Sequence, residues 1–231
     1  MQNSTIVTVG IDSSGPTLLV SVEAAGKCVT RRKTGIKQER LLFPVLQSAL
    51  QAVGATLQEV KRICIVRGPG RFTGIRIALT FASMMKHLSQ AEVYGATVFE
   101  LIRRQVETSV AFSRFKQQNP VGVLGVVLHA FREEYFLQIF DKNNNGPLWL
   151  SREELLEKLS AYPAPIILAG TDKNGESLAS LTQGRYLLAP IRDCRVRPQA
   201  LLALSQEEKF KKDALEPLYL KPARFELISP K

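Results

Sequence analysis

The stretch Gly68-Pro69-Gly70-Arg71-Phe72-Thr73-Gly74 is the part of this sequence whose residue types and spacing come nearest to chemistry. Glycines ahead of a helix free backbone N–H groups, and a helix N-terminus attracts anions. Arg71 and Arg76 add positive charge. No Lys-Ser/Thr pair follows the last glycine, so this is not a P-loop. The same glycines would equally serve a tight strand-to-helix turn. A second polar turn, Asp12-Ser13-Ser14-Gly15, offers a carboxylate and two hydroxyls. Asp12, Ser13, Ser14, Gly68, Gly70, Arg71, Thr73 and Gly74 are therefore a weak candidate phosphate site. The chain has two histidines. His87 has no His or carboxylate three or four residues away, and His129 ends an apolar run. Neither has metal-ligand spacing. A Ser–His–Asp set and a G-x-S-x-G elbow are also missing, so the expectation is no catalytic residue, no metal and no cofactor.

The elements that must carry these turns are legible from periodicity. Ile6–Ile11 reads as a strand, residues 12–16 as a turn, and Leu18–Val22 and Cys28-Val29 as the next strands of an antiparallel meander. Leu42, Val45, Leu46, Ala49, Leu50 and Val53 recur at helical spacing, with Gly54 as the stop. Arg62–Val66 is a buried strand feeding the glycine-rich loop, and a helix runs from Thr73 or Gly74 to about Ser89. The second half repeats the plan with strands over 121–128 and 134–140. A capping-box helix start follows at Ser151-Arg152-Glu153-Glu154, then a strand over 166–170 entering a glycine-containing loop. Residues 104–120 read as the crossover and residues 198–212 as a last helix. A duplicated meander-plus-βα unit is the plan of the actin, sugar-kinase and Hsp70 architecture. The expected fold is therefore α/β, actin-like (ribonuclease H-like), with half-domains over 1–105 and 106–231 and the last helix packing back on the first half.

Composition is that of a globular protein, with 45% apolar and 23% charged residues. The cysteines Cys28, Cys64 and Cys194 are far apart and lack a CxxC pair, which reads as reduced structural thiols. No leader and no membrane span are expected, which implies a cytoplasmic protein. The net charge is +10 and uneven: residues 1–105 hold 14 Lys/Arg against six Asp/Glu, leaving 17 against 15 for the rest. That surplus points to an acidic partner for the first half: RNA, a nucleotide or an acidic protein face.

The helix after the glycine loop is apolar nearly all round, with Ile75, Ile77, Ala78, Leu79, Phe81, Ala82, Met84, Met85 and Leu88. One core-facing stripe needs only part of that set. In the 41–53 helix, Leu41 and Phe43 also fall off the main stripe. Two such helices either bury each other or offer a second face to a partner, and exposed Met and Phe suit an adaptable interface.

With these elements in place, Gly68 to Ile77 resembles the G-P-G-S-F-T-G-[LIV]-R-[IV] signature of the TsaB (YeaZ) family. Val9–Ser14 resembles the family's L-x-I-D-T-S opening, Leu42-Phe43-Pro44 its L-x-P, and Glu216–Pro222 its terminal P-x-Y-L-R-x-P. The resemblance covers almost the whole chain. It implies a non-catalytic scaffold subunit in threonylcarbamoyladenosine synthesis next to the tRNA anticodon. The implied partners are a TsaD-like catalytic subunit and a TsaE-like ATPase, with a homodimer when alone, only indirect or weak tRNA contact, and no membrane. Partner binding then falls to Leu41, Leu42, Val45, Leu46, Ala49, Ile77, Ala78, Phe81, Met84, Met85 and Leu88. The chain departs from the family pattern at Arg71, at Gln38-Glu39 and at His129. Two other readings stay open: an actin-like-fold ATPase or phosphotransferase using Asp12 and the 68–74 loop, and direct RNA binding through the basic first half.

Overall fold

The computed structural model describes residues 6–35, 37–143 and 145–221. In chain order the elements begin with β1 Val7–Asp12, β2 Thr17–Ala24, β3 Lys27–Thr34, α1 Gln38–Val53, β4 Val60–Val66, α2 Phe72–Ser89 and β5 Glu92–Ala96. They continue with α3 Val98–Glu107, α4 Val110–Gln118, β6 Val123–Phe131, β7 Glu134–Phe140, β8 Leu148–Ser151 and α5 Arg152–Ser160. β9 Ile166–Thr171, α6 Ala179–Thr182, β10 Leu187–Leu188 and α7 Pro198–Leu202 complete them. Two compact units result. One comprises the residues up to Val98 plus Val196–Leu218, the other Phe99–Arg195 plus the residues from Tyr219 on.

The sheet of the first unit has the strand order β3-β2-β1-β4-β5, and that of the second β8-β7-β6-β9-β10. In each, an antiparallel meander of three strands is extended by parallel strands added beside the first. Val9 pairs with Val22 on one side and with Ile63 on the other. Val126 likewise pairs with Gln138 and with Ala169. The same order built twice is the duplicated actin-like plan expected from the sequence.

The inner strands of the first unit's sheet are buried on both faces, over Val7–Ile11 of β1 and Ile63–Val66 of β4. α1 and α2 cover one face. Leu42, Leu46, Ala49 and Leu50 of α1 meet Ile75, Ala78, Phe81, Ala82 and Met85 of α2 over Leu18, Val20 and Val22. Each fully buried aliphatic contributes about 1.5–3 kcal/mol. α1 stops where expected: Gly54 is left-handed (φ 75°), and its N–H returns to the carbonyls of Leu50 and Gln51. The return segment, residues 196–218, covers the other face, with Leu201 against Gly10 and the Cys64 thiol donating to the Leu202 carbonyl at 3.6 Å.

Two expectations need correction, and one stretch left without assigned elements is filled in. The segment over 198–212 is not one helix: α7 is followed by 3₁₀ turns at Ala203–Gln206 and Glu208–Lys211, broken at Glu207 by an extended backbone (φ −130°, ψ 114°). Its buried positions, Leu201, Leu202, Leu204, Ser205, Phe210 and Ala214, follow the sheet rather than one helical stripe. The crossover over 104–120 contains two helices, α3 and α4. β3 runs to Thr34, well past Val29, because pairing with β2 extends a strand that its own charged sequence does not announce. The capping box is present, with Ser151 Oγ accepting from Glu154 N–H and the Glu154 carboxylate accepting from Ser151 N–H.

Pro44 lies inside α1, on the solvent side. It removes a backbone hydrogen bond and crowds the preceding turn. Pro44→Ala should therefore stabilise the chain by roughly 1–3 kcal/mol, measured as a shift of the urea midpoint at unchanged slope.

Candidate functional site

Three separate stretches of chain meet at the start of α2. The Ser13 hydroxyl donates to the Gly74 carbonyl at 2.7 Å. The Arg71 N–H donates to the Ser14 carbonyl, also at 2.7 Å. Gln38, at the start of α1, donates from Nε2 to the Gly15 carbonyl at 2.9 Å. The glycines make this possible. A Cβ at Gly74 would stand 1.9 Å from the Ser13 carbonyl oxygen, and one at Gly70 2.4 Å from that of Ser14. Gly70 also has φ 158°, and Gly68 precedes a cis proline. The loop is further pinned by Val98 N–H to the Gly68 carbonyl and Leu218 N–H to the Arg67 carbonyl.

Asp12 is half-buried and turned inward on its own loop, accepting from Ser14 N–H at 3.0 Å and from the Ser14 hydroxyl at 2.6 Å. Burial pushes its carboxyl above the ordinary carboxylate range, and the two Ser14 bonds oppose that shift. Ser13 and Ser14 are buried. The candidate phosphate residues are thus brought together, but as a loop-to-turn contact that occupies both hydroxyls, the carboxylate and the Arg71 N–H. The Arg71 and Thr73 side chains are exposed beside it.

The departures from the family pattern also find places. Gln38 is buried and is the tether just described, although its Oε1 has no hydrogen-bond partner. His129 Nε2 lies 2.9 Å from the Arg132 carbonyl, and its ring packs edge-on against Tyr135. The Tyr135 hydroxyl donates to Asp172 at 2.8 Å. Burial and that carboxylate both push its ionisation up.

The cysteines are all free. Burial pushes the Cys64 thiol up to about 12, so it holds its proton at neutral pH. Among the described residues no three His, Cys, Asp or Glu side chains gather as a metal cluster. Among the same residues no helix is long and apolar enough to cross a membrane.

The α1–α2 face divides into two layers. Leu42, Leu46, Ala49, Ala78, Phe81 and Met85 are buried in the core of the unit. Leu41, Val45, Ile77 and Met84 are partly buried and pack against it. Leu88 is 77% exposed. Above the core runs a groove of about 390 Å³ whose floor and walls include Leu42, Phe43, Phe72, Ile77, Phe81 and Met84. Phe43 and Phe72 are 50% and 51% exposed. Phe43 packs edge-on to Phe81 at 5.8 Å, and Arg76 lies over the Phe72 ring at 5.1 Å. Glu39, Thr73 and Thr80 form a polar margin. Phe72 and Arg76 were not among the expected interface residues. Helical periodicity placed Phe43 off the core stripe, but nothing in the sequence showed that α2 begins early enough to bring Phe72 beside it.

A duplicated mixed sheet with one apolar helical face defines an actin-like α/β protein. The solved structure of YeaZ from Pseudomonas aeruginosa aligns with a TM-score of 0.64 at 20% identity, over 93% of this chain and 100% of that one. TsaB of Escherichia coli (strain K12), a tRNA threonylcarbamoyladenosine biosynthesis protein, is 22% identical over 194 residues, 78% of this chain and 79% of that protein. TsaB of Buchnera aphidicola (Acyrthosiphon pisum, strain APS) is 23% identical over 134 residues, 57% of this chain and about half (53%) of that protein. The family model for TsaD, tRNA N6-adenosine threonylcarbamoyltransferase, matches residues 31–123. The chain is thus similar to TsaB and YeaZ proteins in sequence and fold, and its residues 31–123 match the TsaD model.

Two outcomes test this geometry. Gly74→Ala should cost about 1–3 kcal/mol or more, because the methyl group meets backbone rather than a movable side chain. Urea unfolding followed by circular dichroism reads it. A carboxyl whose pKa is raised by folding binds more protons folded than unfolded, so it lowers stability as pH climbs above its ordinary 3.8. Asp12→Asn keeps an acceptor for Ser14 without the charge. Its stability should therefore fall less than that of the wild type between about pH 4 and about pH 7, compared by urea midpoints at the two values.

Proposed function

We propose that this chain takes part in tRNA threonylcarbamoyladenosine biosynthesis as a non-catalytic subunit that binds a TsaD-like catalytic subunit through its α1–α2 face. Similarity to curated TsaB proteins supports the pathway. The observation that carries the interface is the exposed Phe43–Phe72–Met84 groove above a core already closed beneath it. An apolar strip rimmed by polar residues is the usual mark of a protein-binding surface. A partner of the same fold would present equivalent helices, so like can pair with like. The same geometry suits a homodimer of the chain alone, and a TsaE-like ATPase would complete the assembly. An ATPase reading receives less support, since Asp12, Ser13 and Ser14 are committed to the loop contact.

Light-scattering mass after size exclusion, alone and mixed with the cognate TsaD-like protein, tests the proposal. Wild type should form a heterodimer. Met84→Asp places a charge in the groove and should weaken it at least about a hundredfold, near 2.8 kcal/mol, with unfolding unchanged. A wild type that stays monomeric in both runs overturns the reading.

A further inference from the structure

The net charge of this chain is concentrated at one place the partner groove does not use. Lys27, Arg31, Arg32, Lys33, Lys37 and Arg40 lie along β3 and the entrance to α1, and all six are exposed. Glu39 is the one carboxylate in that span, so the surplus of five is half of the chain's +10. Several cations elsewhere are matched: Lys211 with Glu92 and Glu208, Arg103 with Glu107, Lys173 and Arg152 with Glu133, Lys221 with Glu134. Among the described residues, none of the six along β3 and α1 forms an ion pair. Arg31 makes two long contacts to uncharged groups, the Ser48 hydroxyl and the Thr30 carbonyl, each at 3.4 Å.

The geometry is a line rather than a cluster. β3 is the outer strand of its sheet and pairs only with β2. Arg31 and Lys33 point to one face and Arg32 to the other, and alternate residues lie about 7 Å apart along a strand. An extended row of unpaired guanidinium and ammonium groups fits a phosphodiester backbone, where binding comes from displaced counterions and not from base readout. α1 covers β2 and β3, whereas α2 packs on β4, so the row flanks the groove without lining it.

We propose that this row, Lys27 to Arg40, is a contact for the phosphate backbone of the tRNA substrate, sequence-independent and open while the α1–α2 groove is occupied. It rests on the subunit reading above for the identity of the RNA. The competing role is protection of an unpaired sheet edge, for which Lys is a common device.

Fluorescence anisotropy with a full-length tRNA transcript tests it, using the full chain alone and with its TsaD-like partner. Arg31→Ala/Arg32→Ala/Lys33→Ala should bind at least about tenfold more weakly and flatten the log K against log salt slope by about 2–3. An equal loss of charge on the second unit, Lys142→Ala/Lys158→Ala/Arg185→Ala, should leave both nearly unchanged, and Arg31→Lys/Arg32→Lys, which keeps all three edge charges, should retain binding. The proposal is overturned if the edge variant binds as wild type does, if both variants weaken alike, or if the edge variant only aggregates with its tRNA affinity intact. Light-scattering mass of the mixture, run on the same samples, reports the heterodimer separately, so failure there is not confused with failure here.

Discussion

Everything in the first unit depends on how closely the 68–74 loop approaches the 12–15 turn. Two backbones touch there with no side chain between them, which only glycine at positions 70 and 74 permits. The bonds from Ser13 and Arg71 then fix where α2 begins, and Gln38 fixes α1 to the same turn. With both helix starts tied to one loop, the separation of α1 and α2 is set at that end and Phe43 and Phe72 come to stand side by side. The groove follows from a backbone contact some distance from its apolar floor. Residues 216–218 close the other side of the loop through the Arg67 and Leu218 backbones, so the chain's return is part of the same arrangement.

The two units share a strand order but differ in what covers it. α1 and α2 have 16 and 18 residues, whereas α5 and α6, in the equivalent positions, have nine and four. Short helices bury a stripe and have little length left for a second face. The second core is correspondingly small, built on Tyr135, Leu137, Leu155, Leu159 and Leu168. The first unit therefore carries an apolar outer surface on a long helical pair, and among the described residues the second has no pair of that length. This asymmetry confines the apolar groove between two long helices to the first unit.

Charge reinforces the division. In the second unit Glu107 and Glu133 sit beside the cations they neutralise, and Lys221 lies over Phe131 and Trp149 while paired with Glu134. The first unit neutralises its return segment through Lys211, Glu92 and Arg62 but leaves β3 bare. An apolar groove and a basic edge on neighbouring elements are two different kinds of surface, one apolar and the other charged.

The sequence by itself determined what depends on local rules. Periodicity placed α1 and its Gly54 stop, the capping box at Ser151 and Glu154, and the duplicated order of elements, because helical spacing, caps and alternation act over a few residues. The glycine motif and its neighbours were enough to show the family resemblance. Only the tertiary structure showed the 68–74 loop seated on the 12–15 turn, a contact the glycines permit but do not announce. It also decided that α2 starts at Phe72, that β3 continues to Thr34 and that 198–212 bends instead of running as one helix. Each of these is set by what the segment packs or pairs against, and that neighbour lies far away in the chain.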